Sequence, residues 1–481
     1  MEDIGRENYK YKKILAEEKI DDEASDVSTD LFQPNLSCLP TELLLRILGN
    51  LPHSDLNSII LVNKKFSGLA SDPVLWKKFP VPAMEIAQGL GLDILLRVIK
   101  LPRFSKLQVL DLNRVYTGFS RKGSDVQSNQ DVLQQFVEIL GVAASLPLAW
   151  LDLSYNNLSA LSTPDVLAMT KLVLNIQHVE MFATLRGEDS AFICNILENV
   201  SETSVLRSLN LGACNLDTLP ISLVTKLNCM ASVTLEGSFM TVEQVKALMV
   251  EMGKGSCIKK FDIGSEPIID IETLSDAFES LEPEVVAKAL NNVEYLSYNK
   301  VKFVDGDCCD FPPDLHLASF LEVMGKNTKL KKVEMEENNF FFIQPEVVAK
   351  AFNNLEHYEF KQNPNNTSEQ IVATLELMAQ KTKLVDLKFI YEDLSWLNPG
   401  LVARAVVQVE QVDMLCNLSR AHVRAILGQI DKRSRIKRLN LGNNDVSKVP
   451  NQILESALKM MRSNGGSVIL MKKGKKRFVR Y

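Results

Sequence analysis

The residues able to do covalent or metal chemistry are few and scattered. Eight cysteines, at positions 38, 194, 214, 229, 257, 308, 309 and 416, form no CxxC pair, so neither a disulfide framework nor a zinc site is expected. The segment "GKGS" at Gly253 to Ser256 lacks the upstream glycine of a phosphate loop, and no GxGxxG, HExxH or GxSxG occurs. Asp305, Asp307, Cys308, Cys309, Asp310 and His316 gather in and beside "VKFVDGDCCDFPPD", but adjacent cysteines fit poorly around one tetrahedral ion, and an expanded loop is the simpler reading. None of the five histidines stands in a familiar nucleophile and base arrangement. The expectation is a non-catalytic chain without cofactor or metal.

Composition agrees. The 481 residues carry 54 Lys and Arg against 60 Asp and Glu, a net charge of -6 that gives no reason to expect nucleic acid as a partner. No apolar run approaches a membrane span, and the N-terminus lacks the apolar stretch of a signal peptide. An intracellular protein, cytoplasmic or nuclear, is expected.

What remains is recognition chemistry, and it is periodic. Leu-x-x-Leu-x-Leu segments recur as "LQVLDL", "LAWLDL", "LRSLNL" and "IKRLNL", with weaker copies "HVEMF", "SVTLE", "KFDI", "VEYLSY", "LKKVEM", "LEHYEF", "LVDLKF" and "VEQVDM" between them. Side chains alternate faces along a strand, so the residue between the last two leucines points out of the sheet. That row reads Asp111, Asp152, Glu180, Asn210, Thr234, Asp262, Ser297, Glu334, Glu359, Lys388, Asp413 and Asn440: seven acidic residues and one basic. Two positions earlier stand Trp150, His178, Lys260, Tyr295, Lys332, His357 and Arg438, a mixture of aromatic and basic groups. Asp111, Trp150, Asp152, His178, Glu180, Asp262, Tyr295, Glu334, His357, Glu359 and Asp413 are therefore the candidate binding residues. An acidic stripe favours a basic partner segment, and then binding weakens with salt and on Asp152→Lys with Glu334→Lys; the plainer alternative is that these carboxylates merely solvate the sheet.

The elements that must position these rows are strand, turn and helix, repeated. "TVEQVKALM" and "TSEQIVATLELM" each begin with Thr and place Gln three residues later, at Gln244 and Gln370, which predicts capping boxes. Polar residues after the strand, such as Asn156, Cys214, Asn338 and Asn444, suit the turn. Repeats of this kind are leucine-rich repeats, and about twelve of them over residues 107–457 predict an α/β solenoid with its strands on the concave side. Residues 1–35, charged and poor in large apolar groups, predict a disordered acidic tail, and 81–106 a helical linker or N-terminal cap. Residues 114–130 and 301–314 interrupt the period as loops. Residues 458–481 predict a C-terminal cap and a basic tail; "MKKGKKRFVRY" is solvated, an import or membrane-attracted patch, or a segment folded back on the acidic row.

Residues 36–80 differ from the repeats. In "LPTELLLRILGNL" the apolar residues cover about 200° of a helical wheel, twice the stripe that a helix packing only on its own core needs. Pro40 suits the start of that helix and Gly49 or Asn50 its end, Ser54 or Asp55 suits the start of a second, and "KKFSGLA" a third before Asp72-Pro73. The ordered landmarks Leu39, Pro40, Glu42, Leu44, Ile47, Leu48, Leu51, Asp55, Leu56, Val62, Phe66, Asp72, Leu75 and Trp76 resemble the F-box, departing from it at "NKKF". With the repeats, the chain resembles the F-box/leucine-rich-repeat family.

That resemblance implies a substrate receptor: an all-helical F-box docks on the Skp-family adaptor of a cullin-RING ubiquitin ligase, and the repeats select the protein to be ubiquitinated. It implies adaptor contacts from Leu39, Pro40, Leu44, Ile47, Leu48, Leu51, Leu56, Val62, Leu75 and Trp76. The alternatives are an interaction scaffold whose N-terminal helices only cap the solenoid, and an intracellular sensor or effector built on the same repeats.

Overall fold

All twelve strands expected from the leucine segments form, in chain order, and each is followed by helix or turn. The computed structural model describes residues 36, 39–78, 91–116, 126–158, 161–184, 191–263, 281–297, 315–326, 329–334, 343–361, 367–380, 382–446, 449–472 and 475–480. The 1–35 tail and the 301–314 loop lie outside them, as do Asn338 and residues 117–125 of the other loop. The chain divides into two compact units, Met1–Asn210 and Leu211–Tyr481.

The first unit begins with three short helices, α1 (Thr41–Leu48), α2 (His53–Ile59) and α3 (Lys64–Ala70), closed by a 3-10 turn at Pro73–Leu75. Asn63 caps α3 by accepting from the Phe66 amide at 3.0 Å, and Asp72 starts the 3-10 turn by accepting from Val74 at 2.9 Å. The second helix starts at His53, after Pro52, rather than at Ser54 or Asp55. Proline lacks a donor and has fixed φ, so it enters a helix without cost where a side-chain cap was expected. Helix α4 (Leu92–Ile99) and a 3-10 turn at Pro102–Phe104 follow.

Four parallel strands come next: β1 (Val109–Asp111), β2 (Trp150–Asp152), β3 (His178–Glu180) and β4 (Ser208–Asn210). Between them lie α5 (Val126–Ala143), α6 (Thr163–Leu174) and α7 (Ala191–Asn199). Helix α5 begins inside the stretch 114–130 expected as a loop, so "VQSNQ" is its first turns, polar because the apolar face starts only at Leu133, Phe136 and Ile139. The middle residue of each strand, Leu110, Leu151, Val179 and Leu209, is buried, and its two neighbours face the other way.

The second unit continues the pattern with β5 (Ser232–Thr234), β6 (Lys260–Asp262), β7 (Tyr295–Ser297), β8 (Lys332–Glu334), β9 (His357–Lys361), β10 (Asp386–Asp393), β11 (Gln411–Asn417) and β12 (Arg438–Asp445). Helices α8 (Ile221–Val224), α9 (Val242–Lys254), α10 (Pro283–Leu290), α11 (Leu315–Lys326), α12 (Pro345–Asn353), α13 (Ser368–Gln380), α14 (Pro399–Val406), α15 (Arg420–Gln429) and α16 (Asn451–Ser463) pack each on the next. The middle strand residues Val233, Phe261, Leu296, Val333, Leu387, Val412 and Leu439 are buried against them.

Beyond α16 the backbone departs from the expected cap and tail. Ser467–Lys472 forms β13, parallel to β12, and Lys475–Arg480 forms β14, antiparallel to β13. "SVILMKKGKKRFVR" is two β-prone runs around a Lys- and Gly-rich centre, a hairpin pattern that its charge disguised. Gly466 makes the entry possible: a Cβ there would stand 2.5 Å from the Lys437 carbonyl oxygen.

Candidate partner-binding surfaces

The helical unit exposes one apolar stripe and buries another. On α1, Leu44 is 1% exposed and Leu48 is buried, whereas Leu43 and Ile47, one residue before each, are 47% and 44% exposed. Leu61 and Val62 after α2 and Val74 in the 3-10 turn are also exposed, Val62 at 63%. An arc of about 200° thus splits into an inner half that closes the unit and an outer half that nothing in the described chain covers.

This division sorts the contact set drawn from the resemblance into buried and exposed residues. Leu44, Leu48, Leu56 and Trp76 are buried and hold the unit together rather than facing outward. Leu39, Leu51 and Leu75 are half-buried, while Pro40, Ile47 and Val62 are exposed. Leu43, Leu61 and Val74 are exposed apolar residues outside that set. The i, i+4 spacing of Leu43 with Ile47 was the available signal, parallel to that of Leu44 with Leu48.

Trp76 ties the unit to the first repeat. It is 0% exposed, donates from Nε1 to the Ala70 carbonyl oxygen at 2.7 Å, stacks on His53 at 5.2 Å and meets Phe104 edge-on at 5.6 Å. The Arg103 guanidinium lies over its ring at 4.7 Å. Immediately beyond, the Lys77 carbonyl accepts from the Gln108 and Val109 amides at 2.7 and 3.0 Å, so Lys78 pairs with Val109 beside β1. Burial pushes the His53 imidazole below its usual value, with the Lys78 charge adding to the shift and a hydrogen bond to the Leu75 backbone opposing it.

On the sheets, the outward rows stand in the expected register. In the first unit Asp111, Asp152, Glu180 and Asn210 are aligned partners across β1 to β4, and Trp150, His178 and Ser208 form the row beside them. Among the described residues no basic side chain pairs with these carboxylates. Asp111 and Asp152 accept from the Asn113 and Ser154 amides at 2.9 and 2.8 Å, and Glu180 accepts from Asn210 Nδ2 at 2.7 Å. Burial lifts the Asp152 carboxyl above its usual range, and repulsion from Asp111 and Glu180 adds to that, against the Ser154 hydrogen bonds. Along one edge Arg114 lies over the Tyr155 ring at 4.3 Å, and Tyr155 meets Phe182 at 5.4 Å. Arg114 and Tyr155 share a left-handed backbone with φ of 56° and 59°, where the repeated turn follows the strand.

In the second unit the same rows neutralise themselves. Glu334 takes Lys332 at 2.6 Å and also the Tyr295 hydroxyl, Glu359 takes Lys388 at 3.2 Å, and Asp413, buried, takes Arg438 at 3.4 Å. His357 stands 3.8 Å from Asp386. Lys260 and Lys332 lie over the Tyr295 ring at 5.0 and 5.1 Å, and burial with the Glu334 hydrogen bond raises that phenol well above its usual value. Asp262 aligns with Ser297 on β7. Strand alternation gave the register of these rows, but Ser297 and Asp413 in them are buried, and spacing alone does not say which carboxylates meet a cation within the chain.

The turns carry their own buried polar groups. Asn156 accepts from the Tyr116 amide at 2.6 Å and donates to the Leu112 and Leu153 carbonyls at 2.8 and 2.7 Å; Asn444 bridges Leu418 and Met414 in the same way. Thr184 and Ser238 take the equivalent position elsewhere, donating to Met181 and Leu211, and Cys214 is buried there.

A family model described as F-box-like matches residues 36–79, the three helices and the 3-10 turn that follows them. No curated protein matches the chain. Among solved structures, the leucine-rich repeat-containing protein LegL7 from Legionella pneumophila is 14% identical, over 70% of this chain and 88% of that one, with a TM-score of 0.36. A chain of the Rad7 and Elc1 complex from yeast is also 14% identical, over 70% and 85%, with a TM-score of 0.36. Human 5T4, a trophoblast glycoprotein, is 16% identical over 50% and 83%, with a TM-score of 0.30. The leucine-rich-repeat architecture rests on this chain's own strand register rather than on those likenesses. Among the described residues, no group of three or more His, Cys, Asp or Glu is placed to hold a metal, and no helix is long and apolar enough to cross a membrane.

Proposed function

We propose that this chain is the non-catalytic substrate receptor of an SCF-type ubiquitin ligase. The helical unit docks on a Skp-family adaptor, and through it on the cullin-RING core, while the repeats hold the protein to be ubiquitinated. The observation that carries this reading is the uncovered apolar stripe of Leu43, Ile47, Leu61, Val62 and Val74, within the segment that the F-box-like family model matches. A solvated cap has no use for such a stripe. The test is co-elution of the full chain with a purified Skp-type adaptor. The wild type co-elutes, and Leu43→Asp with Ile47→Asp removes the complex without moving the elution position of the chain itself.

A second reading has its own support. Trp76, Phe104 and the Lys78 to Val109 bridge join the helices to the first repeat, as a cap of an interaction scaffold requires. The two roles use different residues, and failure of the wild type to bind any Skp-type adaptor leaves only the cap.

For the substrate, Asp111, Asp152 and Glu180 of the first unit, which meet no basic side chain among the described residues, favour a basic segment, whereas Glu334, Glu359 and Asp413 of the second unit are met by Lys332, Lys388 and Arg438. Substrates that accumulate on proteasome inhibition and are captured by proximity labelling therefore lose binding on Asp152→Lys more than on Glu334→Lys.

A further inference from the structure

Two repeats of the second unit are joined to their predecessors by one device at a helix start. Thr241 and Gln244 close a capping box on α9, and Gln244, 1% exposed, donates from Nε2 to the Leu216 and Leu219 carbonyls of the preceding repeat at 2.9 and 2.7 Å. Thr367 and Gln370 do the same on α13, with Gln370 Nε2 reaching the Ile343 carbonyl at 2.7 Å. On α15 these two positions hold Ser419 and His422. The imidazole is 1% exposed, with Nε2 3.0 Å from the Leu397 carbonyl oxygen and Nδ1 2.6 Å from Ser419 Oγ. A carbonyl only accepts, so Nε2 carries the hydrogen and the neutral ring's Nδ1 accepts from the Ser419 hydroxyl. The ring thus copies the glutamine amide's donor to the preceding repeat but, unlike an amide, it titrates.

We propose that His422 is a pH-sensitive clamp between repeats, holding α15 to the segment before α14 when neutral and releasing it on protonation. A proton taken from solvent at Nδ1 removes the acceptor of the Ser419 hydroxyl and leaves a cation closed off from water. Among the described residues no carboxylate is hydrogen-bonded to the ring to receive it. Charged groups on the packed elements are Arg404 on α14, Arg420 and Arg424 on α15, and Glu455, Lys459 and Arg462 on α16, all exposed and none hydrogen-bonded to the ring. Asp393, at the end of β10, is exposed and accepts from the Ser395 amide, and on β11 Asp413 is held by Arg438. Burial holds the imidazole below its ordinary value, opposed by the Leu397 hydrogen bond. Because the folded value lies below the unfolded one, the clamp contributes fully above the unfolded value, and its contribution is lost as pH falls from there through the folded value.

The test compares thermal unfolding of the full chain at about pH 7.5 and about pH 5.5 with that of His422→Gln, which installs the residue of the other two joints. The wild type is expected to lose a few degrees more than the variant on acidification. His53 contributes acid loss of its own in both proteins, so the difference isolates His422. Proton NMR supplies an independent reading: the His422 imidazole titrates below the ordinary histidine value, and Ser419→Ala, which removes the hydroxyl donor favouring the neutral ring, raises it. Equal acid losses in wild type and His422→Gln, or a His422 titration at or above the ordinary value, overturns the proposal.

Discussion

Leu43 and Leu44 are adjacent and chemically identical, yet 47% exposure against 1% gives them opposite work. Leu44→Ala leaves a cavity under three small helices and is expected to cost about 2–5 kcal/mol in denaturant unfolding, whereas Leu43→Ala changes stability by less than about 0.5 kcal/mol. Trp76→Ala loses the Ala70 hydrogen bond and both ring contacts, and an unfolding cost of about 3–5 kcal/mol is expected. Asp152 behaves differently, because its ionised form is disfavoured in the fold. A carboxyl raised above its unfolded value weakens the fold once ionised, so Asp152→Asn, which keeps an acceptor for Ser154, raises the melting temperature at neutral pH. That gain vanishes as pH falls through the carboxylate range and the wild-type group protonates.

At the scale of elements, the repeat is held by polar joints between helix starts and preceding turns. Gln244→Ala removes the reciprocal capping bond and takes the Gln244 donor from the Leu219 carbonyl, while the Leu216 carbonyl keeps the Leu219 amide, for an expected cost of about 1–3 kcal/mol measured by thermal unfolding. Gly466→Ala drives a methyl group to 2.5 Å from the Lys437 oxygen and 3.0 Å from Met461 Cε, so β13 must shift; about 1–3 kcal/mol is the expected loss in the same measurement. These elements were legible to different degrees. Strands β1 to β12 and the boxes at Gln244 and Gln370 were readable because period and capping are local. Helix α5 and the β13 to β14 hairpin were not, since a polar first turn resembles a loop and a Lys-rich strand resembles a tail. The outward rows followed from strand alternation alone, but pairing of Glu334, Glu359 and Asp413 depends on long side chains reaching across strands, which one-dimensional spacing does not report.

For the whole molecule, the two units offer different electrostatics on the same scaffold. Among the described residues Asp111, Asp152 and Glu180 of the first unit meet no cation, while the second unit spends Lys332, Lys388 and Arg438 on its own carboxylates. A basic partner peptide is therefore expected to bind the full chain with an affinity that falls as salt rises from about 0.05 to about 0.5 M, and Asp152→Lys is expected to flatten that dependence. Docking of an adaptor on the outer face of the helical unit is measured by isothermal titration of a purified Skp-type adaptor into the full chain. The wild type is expected to bind saturably, and Leu43→Asp with Ile47→Asp to lose about 2 kcal/mol or more of binding energy with unchanged melting. Absence of binding by the folded wild type, or equal affinity in the double variant, contradicts it.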